Sequence, residues 1–118
     1  MKVYNKLVRD KIPEIIALKG QKAKTKILGN EEYKKELDKK LVEEVNEYLE
    51  DNNVEELADI VEVIYGILNS MKVSTDEFEK VRKSKVEKRG AFQNKIFLEQ
   101  VEEFEWDKRI FCKFFLTK

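Results

Sequence analysis

The chain has 118 residues and a mass of 14.1 kDa, enough for one compact domain around one hydrophobic core. Its 24 Lys and Arg balance 24 Asp and Glu, and an apolar fraction of 42% beside a charged fraction of 41% is too high for a disordered chain. The absence of His excludes imidazole zinc sites, Ser-His-Asp triads and His bases; the single Cys112 excludes an intrachain disulfide and a thiolate cluster; no apolar run is long enough for a membrane span.

Charged residues interleave with Leu, Val and Ile at helical spacing, while Gly (4) and Pro (1) are scarce, so the expected fold is all-α. Asp10 is placed to cap a short helix through Ile12, Ile15, Ile16 and Leu18, with Pro13 in its first turn and Gly20 as its stop. Residues 21–29 read as a connection. Asn30 then caps a long helix over about 31–50, whose apolar positions are Tyr33, Leu37, Leu41, Val42, Val45, Tyr48 and Leu49. Asp51-Asn52-Asn53 reads as a turn, with Asn53 the cap of a third helix over about 54–71.

Ser74-Thr75-Asp76-Glu77 has the form of a capping box opening a fourth helix, about 75–89, which Gly90 ends. The segment after Gly90 is ambiguous between a short helix and an extended arm, and the aromatic tail 105–118 has no clean period. The expected architecture is a helical bundle built on the antiparallel hairpin 31–71. Residues 1–104 form a single domain and 105–118 an irregular C-terminal arm.

Acidic side chains fall in the apolar arcs of the hairpin when residues are placed about 100° apart. On the second helix Glu44 lies between the directions of Tyr33 and Leu37, Glu47 lies at the margin of the arc, and Glu43 points away. On the third helix Glu56 falls among apolar directions and Asp59 lies at their edge. In an antiparallel hairpin, Glu47 and Glu56 are equidistant from the turn, as are Glu44 and Asp59, so four carboxylates converge. Unpaired carboxylates in a half-buried cluster repel and take up protons, and a hard divalent cation relieves this. With no His or thiolate nearby, Mg²⁺ is the natural choice and Mn²⁺ a substitute. The structural alternative assigns Glu56 to a capping box with Asn53 and leaves Glu43 and Glu55 as solvated surface.

On the fourth helix Arg82, Lys85 and Arg89 cluster around the direction of Phe78 and Val81, with Lys88 beside them. Such a stripe suits a polyphosphate, although Lys88 and Arg89 also complement the dipole of a helix C-terminus.

These residues resemble the all-α nucleoside triphosphate pyrophosphohydrolases of MazG type. The family pattern E-E-x-x-E, spacer, E-x-x-D is matched by Glu43-Glu44-Val45-Asn46-Glu47 and Glu56-Leu57-Ala58-Asp59. The opening YNKLVRDKIPEII and the later K-R-G-x-F resemble a branch similar to phosphoribosyl-ATP pyrophosphohydrolase, over about residues 3–103. The eight-residue spacer is shorter than the family usually has.

The resemblance implies Mg²⁺ held by Glu44, Glu47, Glu56 and Asp59, and phosphates contacted by Lys85, Lys88 and Arg89, with Lys6 and Arg9 as further substrate candidates. The expected reaction is Mg²⁺-dependent hydrolysis of a nucleoside triphosphate, or a phosphoribosyl-ATP-like nucleotide, to the monophosphate and pyrophosphate, with Glu43 as the candidate general base. Alternatives are a non-catalytic helical interaction module and a nucleotide sensor that has lost turnover. The broad apolar circumference of the third helix predicts a homo-oligomer, a dimer or tetramer. The charged N-terminus and lone Cys predict a cytoplasmic protein, and zero net charge argues against a nucleic-acid polymer as partner.

Overall fold

The computed structural model describes residues 1–102, and these contain four helices and no strand: α1 (Ile12–Leu18), α2 (Asn30–Asp51), α3 (Val54–Ser70) and α4 (Thr75–Arg89). The helices α2 and α3 pack along each other as an antiparallel hairpin, and α4 approaches α3. The expected all-α hairpin is thus the framework of the fold. Residues 91–102 are irregular and exposed, so they form an extended arm rather than a further helix, while the tail 105–118 lies outside the described residues. None of these helices is long and apolar enough to cross a membrane.

The joint between α2 and α3 is tighter than the three-residue turn expected from Asp51-Asn52-Asn53. Asp51 still belongs to α2, Asn52 closes it in the left-handed conformation (φ 51°), and Asn53 already caps α3. Asn is one of the few residues that adopts left-handed backbone at low cost, which suits position 52. The Asn53 side chain accepts a hydrogen bond from the Glu56 N–H at 3.0 Å, and the Ser74 hydroxyl accepts from the Glu77 N–H at 3.1 Å. Two expected caps are corrected. Gly29 stands at the N-cap of α2 and Lys11 at that of α1, and neither helix start has a side-chain cap; Asn30 and Asp10 do not supply one. Asn30 is itself the first helical residue, a position from which its amide does not cap the N–H groups of the turn. Gly20 and Gly90 both carry positive φ after their helices, as expected of stops.

The buried apolar side chains are few: Leu37, Val63 and Leu68, with Leu37 the deepest at 4% exposed. Leu37 seats against Gly66, where a Cβ would meet its Cδ2 at 2.8 Å. The glycine is therefore what lets α2 and α3 approach here. The Tyr33 hydroxyl reaches the Gly66 carbonyl oxygen at 3.5 Å across the same crossing. None of the α4 residues is fully buried, and Phe78 is half-buried, so this polar helix adds little to the core where it approaches α3.

Candidate metal centre

One to two turns of helix from the joint, α2 and α3 bring three carboxylates together. Single oxygens of Glu44, Glu56 and Asp59 all lie within 4.8 Å of one another. The tight two-residue joint fixes this register: with Asn53 as cap, Glu56 occupies the first turn of α3 and Asp59 follows one turn later on the same side. Glu44 is only 7% exposed, although its type is almost never buried without a partner.

The polar bookkeeping of this cluster is incomplete. Glu44 has Lys40 at 3.5 Å from Oε1, but its Oε2 is buried with no hydrogen-bond partner. Glu56 Oε2 is buried and unpartnered in the same way. The alternative role for Glu56, a reciprocal capping box, would direct its carboxylate back to the Asn53 N–H. The cap is one-sided: the Glu56 backbone uses Asn53, and its carboxylate faces the other acids instead.

Burial pushes the Glu44 carboxyl above the ordinary carboxylate range, with the charge of Glu47 adding and Lys40 opposing. Burial likewise raises Glu56, and the charges of Glu47, Asp59, Asp51 and Glu44 all act in the same direction. These are the signs of an acid cluster whose protein cations do not neutralise it.

Glu47, the fourth acid of the expected set, is not among the three whose oxygens meet within 4.8 Å, but it lies against Glu44. It is exposed and lies outside the trio, at the rim, where its charge is felt by both Glu44 and Glu56. Its phase at the margin of the apolar arc is the reason. Glu43 also lies outside the trio; it is half-buried between Lys40 at 3.6 Å and Lys6 at 3.9 Å. A carboxylate tied to two ammonium groups is poorly placed to serve as a general base.

Of the opening motif, Arg9 reaches the centre itself: its Nη2 donates to Asp59 Oδ1 at 2.6 Å. Lys6 is tied to Glu43, one shell away. Lys40 was not among the sequence candidates, yet its position four residues before Glu44 and three before Glu43 places it beside both on the helix surface.

Lys85, Lys88 and Arg89 stay together on α4, lining a shallow groove with Lys80, Val81 and Ser84. All three are exposed, so the stripe faces solvent and not a core, contrary to the expectation from Phe78 and Val81. Arg82 leaves the stripe through a two-pronged pair with Glu79 at 2.9–3.2 Å, on its own helix. Among the described residues, no ion pair joins Lys85 or Lys88 to the trio.

The trio is all oxygen, from two facing helices, and two of these residues, Glu44 and Glu56, each carry a buried oxygen without a hydrogen bond. That composition fits a hard divalent ion of the Mg²⁺ or Mn²⁺ type. Compared with known proteins, the chain matches no family model, no curated protein and no solved structure.

Proposed function

We propose that the chain is a Mg²⁺-dependent nucleotide pyrophosphohydrolase of the MazG-like kind, acting on a nucleoside triphosphate or a phosphoribosyl-ATP-like nucleotide. The observation that carries this reading is the pair of buried, unpartnered oxygens on Glu44 and Glu56, with Asp59 within reach of both. Burying such oxygens is costly unless a cation or proton meets them. Glu44, Glu56 and Asp59 are the ligands, and Glu47 at the rim is the fourth acid of the set. When bound, the divalent ion supplies positive charge to phosphate oxygens.

The chain's own cations take the remaining phosphate charge. Lys85, Lys88 and Arg89 form the one clustered cationic surface that the resemblance assigns to phosphates, and they neutralise charge on departing pyrophosphate. The test measures pyrophosphate release across a nucleotide panel, with and without Mg²⁺. Release that persists undiminished in Glu44→Gln and Asp59→Asn refutes the site. Tight nucleotide binding with no turnover in the wild type identifies a sensor instead.

We also propose that the working form is a homo-oligomer in a cytoplasmic setting. Two exposed apolar stripes run along the hairpin near its turn: Val42, Val45 and Leu49 on α2, and Val54, Leu57, Val61 and Tyr65 on α3. By helical phase both lie on the face opposite the acids. An exposed apolar surface of this kind is self-complementary when the same patch of a second copy packs against it about a two-fold axis. At these exposures it amounts to roughly 600 Å² per copy, so two copies bury roughly 1,200 Å², the lower edge for a stable dimer. Light scattering tests this: a dimer or tetramer that falls to monomer in Leu57→Asp supports it, and a monodisperse wild-type monomer refutes it.

A further inference from the structure

The N-terminal segment meets the hairpin at the acid centre and has little else to hold it. Of residues 1–11, only Leu7 is half-buried; Val3, Tyr4 and Val8 are exposed. The helix that follows, α1, makes no close backbone approach to α2, α3 or α4. The ties that hold the segment are ionic: Arg9 Nη2 to Asp59 Oδ1 at 2.6 Å, and Lys6 Nζ to Glu43 Oε1 at 3.9 Å. The shorter tie goes to one of the three carboxylates of the trio.

Two protein cations therefore answer three carboxylates, and they differ in kind. Lys40 is part of α2, four residues before Glu44, so the helix itself places it beside that carboxylate, and its side chain is only 19% accessible. Arg9 sits on an open arm, and its ion pair is exposed on both sides, with side chains 57% and 39% accessible. Exposed pairs of this type are weak, so a doubly charged ion held by three carboxylates outcompetes one guanidinium. Neither cation reaches Glu44 Oε2, which belongs to a residue more than nine-tenths buried and is left without a partner.

We infer that Arg9 is an exchangeable counter-ion of this centre: it holds Asp59 when no divalent cation is bound, and a divalent cation displaces it and frees the arm 1–11 from the hairpin. The inference rests on the metal-centre reading of Glu44, Glu56 and Asp59. It makes Arg9 a competitor of the metal in the metal-free protein and gives the opening motif a role in controlling access to the site.

The test is a calorimetric titration with Mn²⁺ of the wild type, Arg9→Gln and Lys6→Gln, beside trypsin cleavage after Arg9 in the wild type, quantified by mass spectrometry. Removing a positive charge next to a ligand oxygen tightens Mn²⁺ binding by roughly three- to ten-fold in Arg9→Gln. Lys6→Gln, whose partner Glu43 lies outside the trio, changes it by less than about two-fold. Mn²⁺ accelerates cleavage after Arg9. Equal or weaker binding in Arg9→Gln, or cleavage unchanged by Mn²⁺, overturns the inference while leaving the metal centre standing. Absence of Mn²⁺ binding in all three proteins overturns the metal centre itself.

Discussion

Replacing Glu44 by its neutral isostere tests the acid centre most directly, because it is expected to stabilise the metal-free protein. Glu44 Oε2 is buried without a partner, and so is Glu56 Oε2 beside it. A Gln at position 44 brings an amide N–H₂ that can donate to the Glu56 oxygen. Removing the charge from the buried Glu44 carboxylate, whose Oε2 is unpartnered, is worth about 1–3 kcal/mol. The pair lost with Lys40, at 3.5 Å, is worth about 0–1 kcal/mol. The balance is a gain of about 0–3 kcal/mol at pH 7, or a rise in Tm of up to about 12 °C for a domain of this size.

The pH dependence gives the sign a second check. Burial holds the folded-state pKa of Glu44 above its usual 4.5, so the native state binds this proton more tightly than the unfolded chain does. Stability from this group then falls as pH rises through a window that opens near 4.5, and the wild type carries the penalty above that window and not below it. Thermal melts from neutral to acid pH should show the advantage of Glu44→Gln shrinking as pH falls through the raised folded pKa and vanishing by about 4.5. The same substitution removes a ligand, so the rise in Tm that Mn²⁺ gives the wild type disappears. A Glu44→Gln protein less stable than wild type at pH 7, or a stability gap that does not vary with pH, refutes the account of a charge-strained cluster.

Four further outcomes follow from the helices and their crossing. Leu37→Ala, at the deepest apolar position, costs about 2–4 kcal/mol in denaturant melts. Gly66→Ala improves helix propensity by about 1 kcal/mol, yet it sets a methyl 2.8 Å from Leu37 Cδ2, and overpacking costs about 1–3 kcal/mol, so the variant is neutral to destabilised. The double variant Leu37→Ala/Gly66→Ala is more stable than the sum of the two singles predicts, because the new methyl enters the space Leu37 vacates; strict additivity counts against the close crossing. Asn53→Ala and Ser74→Ala each cost about 1 kcal/mol through the lost cap, whereas Asn30→Ala and Asp10→Ala, which remove no cap, change stability by less than about 0.5 kcal/mol.

The hairpin was legible in the sequence because three signals agreed. Apolar residues recur at helical spacing on both sides of Asn52-Asn53, and Asn53 and Ser74 stand where caps belong. The acids Glu44, Glu56 and Asp59 were legible for the same reason: their phase put them inward and the turn set their register. What failed was of two kinds. At Asn30 and Asp10 the residue type was right for a cap, but the helix began one residue away, and a cap is decided by backbone at single-residue precision. On α4 the phase of Lys85, Lys88 and Arg89 was read against Phe78 and Val81 as though those marked a core. They do not, since Val81 itself is exposed, and a helical wheel cannot say which sector a neighbour covers. Lys40 was recoverable from its spacing to Glu43 and Glu44. The Arg9–Asp59 pair was not, because nothing local links residues fifty positions apart.

The two faces of the hairpin raise one physical question from opposite sides. Between α2 and α3 the described residues bury Leu37, Val63 and Leu68, and none of their side chains is fully enclosed. Stability depends on apolar area removed from water, so the hairpin by itself contributes a small core. On one face the hairpin exposes an apolar patch, and on the other it buries carboxylate oxygens without partners. A hairpin selected only for its own stability would carry polar residues at Val42, Leu49 and Leu57, and apolar ones at Glu44 and Glu56. That it carries the reverse at both places is the physical argument behind both proposals, a second copy on the apolar side and a divalent cation on the acid side.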